Sequence, residues 1–342
     1  MRSESFILAE EASLGFAICC FPSLDKERSF CLRTARRVDN ICRRIPQLQT
    51  FMKSDESPVT AADIAIQATV FRELSNTFSE DLLVAEEDIA DLVKNRPLFE
   101  AVQELVDFGL DNPFLANACK ESLRWWTLDP IDGTKGLLSG SDFAVGLALI
   151  GTNERFGFPL LGTLMLPKQG VLLLADVLES KLEVIPIKEL EQYGTSPKTE
   201  QNENECTAME SLPLKAKGLA DDWHFSGGKH FSLPGRPSWT PLCCGSLVKY
   251  AAVAQGQAFA LVQSLPNGTA NSWDHAAGIA AVRASGGKVT DECGNDFAVG
   301  CLDNRDRLRL QPHSRAIVAS ARGMDHKELC KDVRQALEMR PL

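Results

Sequence analysis

Three short apolar runs follow one another with only a few residues between them: Phe143 to Ile150, Leu160 to Leu166 and Val171 to Ala175. Each has the length of a strand, and turn residues separate them, so this part of the chain is expected to form a meandering sheet. Two further runs precede them, Leu82 to Ala85 and Trp125 to Leu128, and each ends directly on acidic residues.

Helical spacing flanks the strands. Apolar positions recur over residues 5–19 (Leu8, Leu14 and Ile18, with Glu11 off the pattern) and over residues 31–45 (Leu32, Ala35, Val38, Ile41, Ile45). A third helix is expected from Ala61 to Phe78, with Ile64, Ala68, Phe71, Leu74 and Phe78 on one face and Thr60 as its N-cap. Residues 196–222 lose periodicity and become polar, which marks a loop or the neighbourhood of a domain junction. Beyond them helices (246–254, 275–284, 327–337) alternate with extended runs (258–263, 288–290, 316–320), which argues for an α/β second half. A chain of 342 residues exceeds the size at which one core usually stops growing. The expected division is 1–195 and 196–342.

The formal net charge of −10 repels polyanions, so a nucleic-acid polymer is not an expected partner. No apolar stretch approaches the ~20 residues of a bilayer span, and no membrane association is expected. The 11 cysteines are odd in number, lack a CxxC pair and lack zinc-type spacing, which reads as a reducing compartment. Cys31 and Cys42 fall on apolar helix faces; vicinal Cys243-Cys244 reads as small buried hydrophobes, with redox behaviour as the alternative. The start Met1-Arg2-Ser3-Glu4 carries neither a signal core nor an arginine-rich presequence, giving a cytoplasmic expectation. A chloroplast or mitochondrion is the alternative where a presequence has been removed.

Three acidic clusters stand out: Glu86-Glu87-Asp88 after an apolar run, Asp129-Pro130-Ile131-Asp132-Gly133-Thr134-Lys135-Gly136, and Trp273-Asp274-His275-Ala276-Ala277-Gly278. In the second, Pro130 fixes a bend and Gly133 removes bulk, so two carboxylates, the Ile131 carbonyl and the amides of Gly133 and Thr134 can face one point. Structural readings compete with this. A turn with Asp as helix cap, a solvated helix start at Glu86 and an N-cap at Asp274 account for each cluster in isolation. Asp63, three residues after Thr60, fits a capping box as readily as a functional role. If folding gathers the clusters, however, their carboxylates cannot all stay ionised and close without cations between them. Hard Mg²⁺ prefers such a set, a few carboxylates completed by water and substrate phosphate. An EF-hand is excluded because Asp129 and Asp132 lack its acidic ladder, and five histidines without a serine elbow leave a nucleophilic triad unsupported.

Pro58-Val59-Thr60-Ala61-Ala62-Asp63, Ala85-Glu86-Glu87-Asp88, Trp126-Thr127-Leu128-Asp129-Pro130-Ile131-Asp132-Gly133-Thr134-Lys135-Gly136 and Trp273-Asp274-His275-Ala276-Ala277-Gly278 occur in the order seen in the inositol monophosphatase superfamily. The chain resembles that superfamily over most of its length. Lys135-Gly136, with Gly245-Ser246-Leu247-Val248-Lys249-Tyr250, is most similar to the 3′(2′),5′-bisphosphate nucleotidase branch. The resemblance implies an α/β chain, α+β in its N-terminal half and α/β in its C-terminal half. The layers would form an α-β-α-β-α sandwich of the inositol monophosphatase/fructose-1,6-bisphosphatase type. It further implies two or three Mg²⁺ held by Glu86, Asp129, the Ile131 carbonyl, Asp132 and Asp274, with Asp63 and Thr134 orienting and deprotonating the attacking water. Thr134, Ser246, Lys249 and Asp274 would contact the substrate. The implied reaction is Mg²⁺-dependent, Li⁺-sensitive removal of the 3′-phosphate from 3′-phosphoadenosine 5′-phosphate, extending to 3′-phosphoadenosine 5′-phosphosulfate. Rival readings are an inositol or sugar phosphate phosphatase of the same superfamily and a nucleotide-binding regulatory protein without turnover. The expected partner is a small nucleotide bisphosphate, and the expected assembly a monomer or homodimer.

The chain departs from the branch in two places. The segment from Gln263 to Ser272 carries no basic residue, whereas the nucleotidases usually have one shortly before Trp-Asp. The Ser/His segment on the adenosine side is blurred into Trp223 to His230. Lys249 then remains the first candidate for the second phosphate, with Lys229 or His230 as outside candidates.

Overall fold

The computed structural model describes residues 23–45, 50–52, 58–88, 95–110, 124–138, 140–152, 157–193, 218–220, 239–241, 245–265, 267–300 and 305–338. The helix expected over 5–19, the pair Cys243-Cys244 and the segment Trp223 to His230 lie outside them. Helix α1 (Asp25–Cys42) begins earlier than its apolar spacing suggested, because Asp25 and Glu27 favour its first turn and Phe30 extends the buried face. A short antiparallel ladder, β1 (Thr50–Met52) with β2 (Pro58–Thr60), leads into α2 (Ala61–Thr77). The N-cap is the expected one: Thr60 Oγ1 accepts from the Ala62 amide at 3.2 Å, and the Asp63 carboxylate accepts from the Thr60 amide at 2.7 Å.

There follow β3 (Leu82–Ala85), α3 (Arg96–Leu105), β4 (Arg124–Asp132), one turn of helix α4 (Thr134–Leu138), β5 (Ala144–Thr152), β6 (Gly157–Leu166), β7 (Val171–Asp176) and β8 (Lys181–Pro186). The strands form a six-stranded sheet in chain order, parallel between β3 and β4 and antiparallel elsewhere, the meander read from the sequence. β8 escaped that reading because Glu183 sits on its inward face. It is buried there by pairing with Arg28 of α1, so the apolar alternation is broken in sequence but not in space.

The second half contains β9 (Gly218–Ala220), β10 (Trp239–Pro241), α5 (Ser246–Ala254), β11 (Ala260–Ser264), β12 (Thr269–Asn271), α6 (Ala276–Ala284), β13 (Lys288–Asp291), β14 (Ala298–Val299), β15 (Arg307–Arg309), β16 (Ala316–Ser320) and α7 (His326–Glu338). A mixed sheet runs in the order β10-β9-β11-β16-β13, and a small antiparallel sheet in the order β12-β15-β14. β9 lies inside the stretch expected to be a loop. Its three residues carry no periodicity of their own and are ordered by pairing with β10 and β11 on either side.

Strand alternation decides the layering. On β4, Trp126 packs with Phe30 and Phe78 at ring separations of 5.0 and 6.1 Å, in the core formed with α1 and α2. Its neighbour Trp125 belongs to the opposite core, with Tyr250 of α5 and Ile279 of α6. That second core also takes in Leu261, Val289 and Ile317 from the other large sheet, so α5 and α6 lie between the sheets. α7 closes the far side by packing Leu329, Val333 and Leu337 against Val262 and Val318. The result is an α-β-α-β-α sandwich. Small residues allow the close approach of its middle layer: a Cβ on Gly278 of α6 would meet the Tyr250 ring at 2.4 Å.

Candidate active site

Parallel pairing of β3 with β4 brings two strand ends side by side. Ala85 lies opposite Leu128, and the Glu86 amide donates to the Leu128 carbonyl at 3.2 Å, which carries Glu86 next to Asp129. Beyond this point the ladder to β5 slips: Asp129 is opposite Gly146, and Asp132 opposite Ala144. Pro130 has no amide to give to the ladder, and the irregularity bends β4 at the acidic motif. Gly133, with φ of 90°, then turns the chain into α4. The third carboxylate, Asp274, stands just before α6. Oxygens of Asp129, Asp132 and Asp274 all lie within 4.8 Å of one another.

Each carboxylate is held differently. Asp132 accepts from the Ser246 and Leu247 amides at 3.1 and 2.6 Å, capping α5 from 114 residues away. Asp274 accepts from the Asn271 side-chain amide at 3.1 Å. Both oxygens of Asp129 are buried and have no hydrogen-bond partner among the described residues. Burial, compounded by the charges of Asp132, Glu86, Asp274 and Asp63, pushes the Asp129 carboxyl well above the usual carboxylate range. Burial pushes Asp132 up to about 6, against the pull of the Leu247 and Ser246 amides and of Lys249. Burial and the charge of Asp132 push Asp274 up to about 7. An ionised carboxylate with no partner is untenable in such a place unless a cation joins it. The donor set is oxygen only, which suits a hard divalent cation rather than zinc or copper.

The remaining sequence candidates surround this nest. Asp63 is buried in the first turn of α2, where its Oδ2 accepts from the Thr60 hydroxyl at 2.6 Å as well as from the Thr60 amide. The capping reading of Asp63 thus holds, and its charge still acts on Asp129. The Thr134 hydroxyl donates to the Ile131 carbonyl at 3.2 Å. Ser246 shares its hydroxyl with the Gln263 side chain at 3.3 to 3.4 Å. Lys249, buried on α5, acts electrostatically on Asp132 and on His275.

Three supporting contacts escaped the sequence reading. Gln67, one turn beyond Asp63 on α2, donates to the Glu87 carbonyl at 2.8 Å and accepts from the Glu87 amide at 3.1 Å. The glutamate segment is thereby fixed to the helix that carries Asp63. A lone glutamine among Ile64, Ala65, Ile66 and Ala68 was the available signal. Behind Asp274, Tyr250 and His275 meet at 3.0 Å. Burial keeps the phenol protonated and takes the imidazole down to about 3, so a neutral tyrosine hydroxyl and a neutral imidazole share one hydrogen bond there. Asn271, the partner of Asp274, had no sequence signal at all.

An acidic nest able to hold a metal ion, set in a five-layer α/β sandwich, is an arrangement that a metal-dependent phosphatase can use. Residues 32–338 match the model of the inositol monophosphatase family, and the chain belongs to that family. It is 31% identical over 325 residues to a putative mitochondrial 3′(2′),5′-bisphosphate nucleotidase of Arabidopsis thaliana, covering 83% of this chain and 79% of that one. Over 291 residues it is 29% identical to a 3′(2′),5′-bisphosphate nucleotidase of Candida albicans, with 73% and 79% covered. The solved IMPase of Thermotoga maritima shares the fold at 19% identity, with a TM-score of 0.56 over 91% of this chain and 97% of that one. Among the described residues no helix is long and apolar enough to cross a membrane.

Proposed function

We propose that the chain is a Mg²⁺-dependent 3′(2′),5′-bisphosphate nucleotidase that hydrolyses 3′-phosphoadenosine 5′-phosphate to AMP and phosphate. The observation that carries the reading is Asp129, a buried carboxylate whose two oxygens lack a hydrogen-bond partner among the described residues, amid Asp132 and Asp274. Glu86, Asp129, the Ile131 carbonyl, Asp132 and Asp274 hold the metal, two or three ions in all. When bound, Mg²⁺ supplies Lewis-acid polarisation of the phosphate and a water of lowered pKa. Asp63 and Thr134 would orient and deprotonate the attacking water, Thr134 as a hydroxyl relay, since a hydroxyl is itself a poor base. Ser246 and Lys249, on the helix capped by Asp132, contact the substrate. Clustering of oxygen donors also supports inhibition by Li⁺. The names of the relatives support the nucleotide over an inositol or sugar phosphate.

The deciding experiment measures phosphate release from 3′-phosphoadenosine 5′-phosphate and from inositol 1-phosphate, with Mg²⁺ and with EDTA. Mg²⁺-dependent release favouring the nucleotide is expected. Release favouring the inositol ester would replace the substrate, and no release from either would leave a binding protein.

A further inference from the structure

An acidic nest repels any second anionic group on its substrate, and the segment before Trp273 offers no cation of its own. Another strand brings one. β12 and β15 pair with Asn271 opposite Arg307, and Arg307 Nη1 donates to the Asn271 side-chain oxygen at 2.9 Å. The nitrogen of that same amide donates to Asp274 at 3.1 Å. A single side chain therefore separates the guanidinium from a carboxylate of the nest. The arrangement is anchored from below: the Ser272 amide donates to the Asp306 carbonyl at 2.9 Å, and the Ser272 hydroxyl to the Arg305 carbonyl at 2.8 Å. The Arg307 side chain remains 46% exposed, and its other polar neighbour among the described residues is the half-exposed Asp306, 3.5 Å from Nε. Lys249, by contrast, is only 4% exposed, and its charge already acts on Asp132.

We propose that Arg307 recognises the second phosphate of a bisphosphate substrate, supplying from β15 the charge that the 263–272 segment lacks; this rests on the bisphosphate reading above. A guanidinium is a planar fork of five donors, and one of them bound to Asn271 fixes the plane while others remain for a phosphate. Because Arg307 stands beyond Asn271 and not among the nest carboxylates, it acts on substrate binding and not on the chemical step.

The test is steady-state kinetics of the whole protein on two pairs of substrates. The pairs are 3′-phosphoadenosine 5′-phosphate with adenosine 3′-phosphate, and inositol 1,4-bisphosphate with inositol 1-phosphate. Wild type is expected to prefer the bisphosphate in kcat/KM. Arg307→Gln should cut that preference roughly ten- to a hundredfold through KM, the loss expected for one charge-assisted contact, and Arg307→Lys should restore part of it. A preference confined to the inositol pair overturns the nucleotide reading, and Arg307 is then judged on that pair. The assignment of Arg307 falls if the preference survives Arg307→Gln, or if wild type prefers neither bisphosphate.

Discussion

Replacing Asp129 by asparagine separates what this side chain does for the fold from what it does for catalysis. Its oxygens have no hydrogen-bond partner among the described residues, and burial, compounded by four neighbouring carboxylates, raises its pKa. A buried charge without compensation costs about 3–5 kcal/mol. The asparagine amide, equally buried and unpaired, costs about 1–3 kcal/mol. The metal-free variant should therefore be more stable than metal-free wild type by about 2 kcal/mol at neutral to basic pH. At about 2–4 °C per kcal/mol, or slightly less for a chain this long, its melting temperature should rise by about 3–6 °C in EDTA. The same substitution removes a metal donor, so the stabilisation that Mg²⁺ gives wild type should collapse and kcat should fall at least ~10³-fold, beyond the ~10–100-fold typical of residues that only support a ligand. Differential scanning calorimetry with and without Mg²⁺ reads the first two effects, and phosphate release the third. A metal-free Asp129→Asn protein that melts below wild type, or one that keeps the full Mg²⁺ shift, would refute the argument that this carboxylate is held in reserve for a cation.

Protons and cations compete for the nest, so the Mg²⁺-induced rise in melting temperature should be near zero at about pH 5 and grow through about pH 6–7, where Asp132 and Asp274 ionise. In the metal-free protein these raised carboxylates contribute stability that is present below about pH 4 and lost as pH climbs through their folded values. His275 and His326, held neutral at about 3 and about 4, act in the opposite sense with or without Mg²⁺ and cancel in the difference; a pH-independent shift contradicts the coupling. Thr134→Ala should lower kcat ~10²-fold or more with an unchanged half-saturating Mg²⁺ concentration, and recovery at high Mg²⁺ would mean that Thr134 supports metal binding instead. Gln67→Leu should weaken Mg²⁺ binding about 10–100-fold in titration calorimetry by releasing the Glu87 peptide; unaltered binding would reduce Gln67 to a packing residue.

Local patterns in the sequence were sufficient for the meander, for α2 with its Thr60 cap, and for the acidic ends of β3 and β4, because each depends on residues close along the chain. Asp132 shows where such reading stops. Its motif suggested a ligand, but its role in capping α5 depends on two amides 114 or more residues away. β8 was hidden for a similar reason, since Glu183 looks solvent-facing until Arg28 of α1 arrives beside it. The pairing of Asn271 with Arg307 is likewise a matter of strand register across the small sheet, and neither residue belongs to a motif. What the sequence conceals here is which charge meets which, because buried charges take their partners from distant segments.

Trp125 and Trp126 adjoin on β4 but face different cores, one shared with α5 and α6, the other with α1 and α2. Of the five tryptophans in the chain, these two form a natural pair of fluorophores separated by one peptide bond and by the thickness of a sheet. Versions of the protein that keep one indole or the other would emit from opposite sides of the same strand. Superimposable melting curves from the two emitters would mark a molecule that unfolds as one cooperative unit, and an offset between them would reveal which side of the sheet loosens first.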